Sequence, residues 1–211
     1  MDRKNQAGWL CMVIYYGSLW GLAEATAGHV LHLLRIPGLA GFIMFPMGFF
    51  LMSRAFSRSG RFLAVFLTSW IAAGIKLADL VLPGADILAV WNPAQAILLE
   101  GLTAAALLLV LKARRQLAFV TVLLASLSWR LGHVFLCLLW TGLFHAPNLF
   151  QAGAAFFYRF LLLDSLINGI LLYHLLKISP RYLPERTTRF LVKPVLSLSL
   201  LVAALSLELI L

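Results

Sequence analysis

What most constrains this chain is a series of seven apolar segments, each near or above the roughly 20 residues that a bilayer asks of a helix. They fall near residues 8–35, 39–56, 61–83, 91–111, 117–142, 150–176 and 190–211. In lipid every backbone N–H and C=O has to be satisfied within the protein, and helices do so locally. The expected fold is therefore all-α, a polytopic transmembrane bundle of six to seven helices forming a single integral membrane domain over residues 1–211. If the last segment does not span, six helices remain. Composition points the same way, with 62% hydrophobic and 12% charged residues and a mean hydropathy of +0.94, values foreign to soluble domains.

The formal charge of +9 reads as topology rather than as nucleic-acid binding, because the basic residues sit in short clusters between apolar segments. Arg3 and Lys4 precede the first segment; Arg54, Arg58 and Arg61 lie between the second and third; Lys112, Arg114 and Arg115 separate the fourth and fifth. Lys177, Arg181, Arg186, Arg189 and Lys193 separate the sixth and seventh. These are alternate sides of the chain, and the opposite connections, 36–41, 84–91 and 141–149, carry neither Lys nor Arg. The positive-inside rule then makes the N-terminus cytoplasmic, and the expected location is a bacterial inner membrane, crossed several times. The start of the chain imitates a signal peptide, with Ala23-Glu24-Ala25 as its cleavage site, but the apolar pattern continues to His32 and the segment is read as a retained helix. Cys11 and Cys137 are isolated and support neither a disulfide framework nor a zinc motif.

Ionisable residues inside membrane segments are costly and tend to mark function. At about 100° per residue, Gly17, Gly21, Glu24, Gly28, His32 and Arg35 share a stripe no wider than roughly 80°. Its glycines suit close helix packing. With direction assigned, His29 and His32 lie towards the outer surface, Lys76 and Asp79 in the outer half of the third segment, and Asn92 high in the fourth, with Glu100 deeper. Arg130 and His133 share one face with Ser126 and Cys137, at spacings of 4, 3 and 4. Arg159 lies in the outer half of the sixth segment, above Asp164 and Asn168. The expected binding residues are Glu24, His29, His32, Lys76, Asp79, Asn92, Glu100, Arg130, His133, Arg159 and Asp164, converging on a pocket open to the outside. Lys76 and Asp79, at i and i+3, are the expected ion pair, and Asp164 with Asn168 an expected hydrogen-bonded pair. Two histidines one turn apart are too few for a metal site, so no metal and no cofactor is expected.

The length, the cytoplasmic N-terminus, about six spans, the Ala23-x-x-x-Ala27 pattern and short external loops together resemble the substrate-binding component of an energy-coupling factor transporter. That resemblance, which would cover the first six segments, implies a pocket for a small molecule that opens outward. It also implies that the Ala pattern contacts a coupling membrane subunit and that cytoplasmic ATPases supply energy. The chain departs from the family in its seventh segment and in the charge of its pocket. It carries no Gly-rich loop ending in Lys-Ser/Thr, so ATP-driven activity requires a partner.

The function expected is therefore a small-molecule-binding transport subunit whose partners are the bilayer, its ligand and such a coupling complex, with no nucleic acid. One alternative is a membrane enzyme acting on a lipid or polyprenyl phosphate, with Glu24 or Glu100 as acid/base and Arg130 with His133 holding the anion, although no catalytic signature accompanies it. The other is an assembly subunit whose polar residues only pair helices.

Overall fold

The computed structural model describes residues 3–114, 117–145, 153–178 and 192–211, with side chains described from residue 8 onward and that of His32 excepted. Seven helical rods make up the described chain. The first is α1 (Arg3–Ala23), a π-helical stretch (Glu24–Gly28) and α2 (His29–Leu33) in succession. Then come α3 (Leu39–Ser59), α4 (Phe62–Leu77) with a 3₁₀ turn (Ala78–Val81), α5 (Ile87–Arg114) and α6 (Phe119–Phe144). The sixth rod is α7 (Ala154–Tyr158), a second π stretch (Arg159–Leu163) and α8 (Asp164–Ile178), and the last is α9 (Pro194–Ile210). No strand occurs among the described residues. Five of the rods, from Leu39–Ser59 to Ala154–Ile178, are long and apolar enough to cross a bilayer. The first falls outside that group, and α9, at 17 residues, gives roughly 25 Å of helix.

Local chemistry accounts for where two rods begin or end differently from the sequence expectation. Asp86 accepts a hydrogen bond from the Leu88 N–H at 2.9 Å, a capping contact that starts α5 a turn early and leaves Pro93 inside the helix. Gly60, at φ 68°, returns its N–H to Phe56, so α3 runs on through Arg54 and Arg58 to Ser59 before the left-handed cap stops it.

The exterior is apolar in the manner of a lipid-facing surface, with Val30, Leu63, Trp70, Leu102, Leu124, Phe135 and Val202 all exposed. The interior is built on Trp20, Phe45, Phe49, Met52, Phe56, Leu108 and Trp129. Where α1 crosses α4, Gly17 and Gly21 allow near-contact of the backbones. A Cβ on Gly17 would lie 2.6 Å from Ile71 Cβ, and one on Gly21 would collide with Ile75. The expected packing role of this glycine pair is therefore what the rods use.

The two ends of the bundle differ. At one, Arg54 stacks over Phe50, Arg58 over Tyr16 and Arg61 over Trp9, and Lys112 faces Phe56 and Phe62. At the other, the short connections α2–α3 and α4–α5 surround an opening. The last rod, α9, runs between them alongside α1. Its Ser197 hydroxyl donates to the Cys11 carbonyl at 2.8 Å, and its Glu208 reaches Lys76 near the far end of α4.

Candidate functional site

At the end away from the stacked cations lies a cavity of about 650 Å³, in the range of small-molecule sites. It is enclosed by the first π stretch, the α2–α3 connection, the last turns of α4, the start of α5 and the middle of α6. Of the expected site residues, Glu24, His29, Lys76, Asp79, Asn92, Glu100 and His133 line it. Arg130, Arg159 and Asp164 do not. The His32 side chain lies outside the described residues, as does most of the connection after α6.

Glu24 opens the π stretch, and Oε1 accepts a hydrogen bond from Trp20 Nε1 at 3.2 Å. Short π segments within α-helices recur at functional sites; this one swings the carboxylate towards the cavity, where only Gly28, lacking a side chain, leaves room. A Cβ there would lie 2.8 Å from Glu24 Oε2. Glu100 is 2% exposed, and its Oε2 has no hydrogen-bond partner among the described residues. Each of these two carboxylates lies within electrostatic reach of the other, and neither makes a salt bridge among the described residues.

Lys76 is the half-buried cation of the cavity, and Arg35 lines it from an exposed position. The Lys76 ammonium donates to Asp79 Oδ2 at 2.8 Å and to Glu208 Oε1 at 2.5 Å. The first contact is the expected i, i+3 pair. The second was missed because a lone glutamate close to the end of an apolar helix looks terminal until α9 is laid against α1.

Arg130 sits behind the cavity wall and is wholly buried. Its guanidinium lies 4.5 Å from the Trp129 ring centroid and 5.5 Å from that of Phe160, and Nη1 donates to the Ser126 carbonyl and hydroxyl, both at 3.1 Å. Nε and Nη2 have no partner among the described residues. Glu100 and Asp164 are the carboxylates whose charge it feels. His133, one turn further on, does reach the cavity: Nε2 is 3.6 Å from Cys137 Sγ, and Nδ1 has no partner among the described residues.

Beside the cavity, Arg159 lies 3.9 Å from Asp164 and donates to the Pro37 carbonyl in the α2–α3 connection. Asp164 and Asn168 do not form the expected hydrogen bond. Both amide atoms of the fully buried Asn168 lack partners among the described residues. Gln95, placed by the sequence beside Asn92 high in the fourth segment, braces α5 against α6. Its amide donates to Asn92 at 3.2 Å and faces Cys137 Sγ at 3.6 Å, and its carbonyl accepts from Trp140 at 2.9 Å. Among the described residues no three His, Cys, Asp or Glu side chains gather as metal ligands.

The cavity can therefore hold a small molecule against the apolar side chains of Met44, Ile97, Trp129 and Phe160 and the carboxylates of Glu24 and Glu100. Comparison with protein-family models, with curated proteins and with solved structures finds no match for the chain.

Proposed function

We propose that this membrane protein is a small-molecule-binding transport subunit of a bacterial inner membrane, its cavity open to the external side. In kind it is similar to the substrate-binding component of an energy-coupling factor transporter. The observation that carries this reading is the cavity of about 650 Å³ at the end of the bundle away from Arg54, Arg58, Arg61 and Lys112, which the positive-inside rule makes external. The connection 36–38, which Arg159 ties down through Pro37, forms part of the cavity's mouth. Opening and closing would then need only a few residues to move. Ala27 is exposed and Ala23 half-buried on the first rod, leaving a small-residue surface for a coupling membrane subunit, with cytoplasmic ATPases as the energy source. The alternative of a polyprenyl-phosphate enzyme has less support, because Arg130, the group assigned to hold the anion, lies behind Trp129.

Native mass spectrometry of gently solubilised protein tests the proposal. The expected result is a bound small organic molecule, lost when Ala96→Phe fills the cavity, together with a membrane partner and an ATPase. Protein that carries no ligand, copurifies with no ATPase and turns over added lipid phosphate would replace this reading with the enzymatic one.

A further inference from the structure

Resting on the reading of the cavity as a binding site, we infer that its occupant is a small organic cation, an amine or quaternary ammonium, whose charge lies between Glu24 and Glu100. Six carboxylates occupy the cavity end of the rods, Glu24, Asp79, Asp86, Glu100, Asp164 and Glu208, against four cations, Arg35, Lys76, Arg130 and Arg159. Lys76 is engaged by Asp79 and Glu208, and Arg159 lies beside Asp164. Of the other two, Arg35 is exposed at the cavity's rim, and Arg130 sits behind the wall rather than in salt-bridge contact with Glu100. The two buried carboxylates that line the cavity, Glu24 and Glu100, therefore have no cation in salt-bridge contact among the described residues. Buried charge persists only when paired, and the cavity that both carboxylates line is where a counter-charge fits.

Other occupants match the chemistry less well. An anion would meet the buried Glu24 and Glu100 with Lys76 already bound twice and with Arg35 only at the exposed rim. A metal held by a closed set of protein ligands is not favoured, because no three His, Cys, Asp or Glu side chains gather as ligands among the described residues. An organic cation satisfies both kinds of lining, its charge on the carboxylates and its apolar body against Met44, Ile97, Trp129 and Phe160.

Three probes of one shape and different charge separate these outcomes: benzylamine, benzyl alcohol and benzoate, titrated at neutral pH into the intact, detergent-solubilised protein. Tryptophan fluorescence reports binding, because Trp129 lines the cavity and Trp20 bonds to Glu24. Benzylamine is expected to saturate at a concentration at least about tenfold below benzyl alcohol, with benzoate weakest. Glu24→Gln and Glu100→Gln should each weaken benzylamine by about tenfold and leave benzyl alcohol unchanged. Should Glu100→Gln fail to fold, Glu100→Asp, which keeps the charge but shortens its reach, is expected to weaken benzylamine by less. Equal binding of all three, or a preference for benzoate, abolished by Ala96→Phe, would overturn the cation while leaving the cavity as a binding site. Displacement of benzylamine by calcium or sodium chloride at matched ionic strength would assign the carboxylates to an inorganic ion instead. Saturable binding by none of the probes to well-folded protein would overturn both readings.

Discussion

Lys76 on α4 and Glu208 on α9 meet at 2.5 Å across 132 residues of sequence, and this contact fastens the end of the last rod to the bundle. The side chain of Glu208 is 2% exposed and that of Lys76 14%, so the pair is removed from solvent and from lipid alike. At its other end α9 is held by the Ser197 hydroxyl on Cys11. Between these points the rod is apolar and interchangeable with lipid, so the polar contacts fix its register along α1.

Breaking this pair on one side should cost far more than its net worth. Lys76→Met leaves Asp79 and Glu208 without their cation, and a buried charge stripped of its partner costs about 3 kcal/mol or more. Thermal melting in detergent should show a clear loss for Lys76→Met, and the Lys76→Met, Glu208→Gln double variant should recover part of it. Strictly additive losses in that cycle would mean that the two side chains are not energetically coupled.

The α1–α4 crossing offers a steric counterpart. Gly17→Val would drive branched carbons into Ile71 and towards the Thr68 carbonyl, which lies 2.9 Å from the position of a Cβ. Backbone cannot step aside as a flexible side chain can, so the variant should lose about 1–3 kcal/mol, the usual range for overpacking. Shortening the opposing residue, Ile71→Ala, should restore only part of it, because the carbonyl remains. A Gly17→Val protein that melts like the parent would show that the rods separate there at no cost.

How far the sequence could lead is visible in these residues. Segment length and the placement of arginines announced the seven rods, and i, i+3 spacing announced Lys76 with Asp79. Register within one helix is arithmetic; pairing between helices is not. Nothing in the last segment says that Glu208 will meet Lys76, since that depends on α9 lying beside α1. Face arithmetic groups Arg130 with His133, yet Trp129 stands between Arg130 and the cavity, because one turn of depth separates a wall residue from one behind it. The two π stretches have no composition of their own: they are a backbone response to neighbouring packing, and they set the directions of Glu24 and Arg159.

Arg130 supplies a prediction that separates a wall residue from a ligand contact. Its guanidinium is packed on Trp129 and Phe160 and lies near Glu100 without touching it. Arg130→Gln should lower the melting temperature, since the stacked rings lose their cation and Glu100 and Asp164 lose its field. The same variant should hold benzylamine at least as tightly as the parent, because a positive charge competing for Glu100 has gone. A loss of benzylamine binding comparable to that of Glu100→Gln, in protein that remains folded, would put Arg130 in direct contact with the ligand.

The α2–α3 connection gives the last expectation. Arg159 is the side chain that ties it to the second π stretch, donating to the Pro37 carbonyl. Gly38, at φ 78°, packs beside Phe156 and Phe160, with no Cβ to hold the turn away. Arg159→Ala removes this donor and also the cation 3.9 Å from the buried Asp164, so some loss of melting temperature should accompany it. Local opening is a different quantity from global unfolding, and here it should rise. Hydrogen exchange followed by mass spectrometry should show faster labelling of the peptide spanning 34–41, with the α5 and α6 peptides unaltered. Benzylamine should then associate and dissociate faster at similar affinity, the signature of a loosened mouth over an intact cavity. Unchanged exchange at 34–41 would mean that the glycine turn and its aromatic bed hold the connection without Arg159.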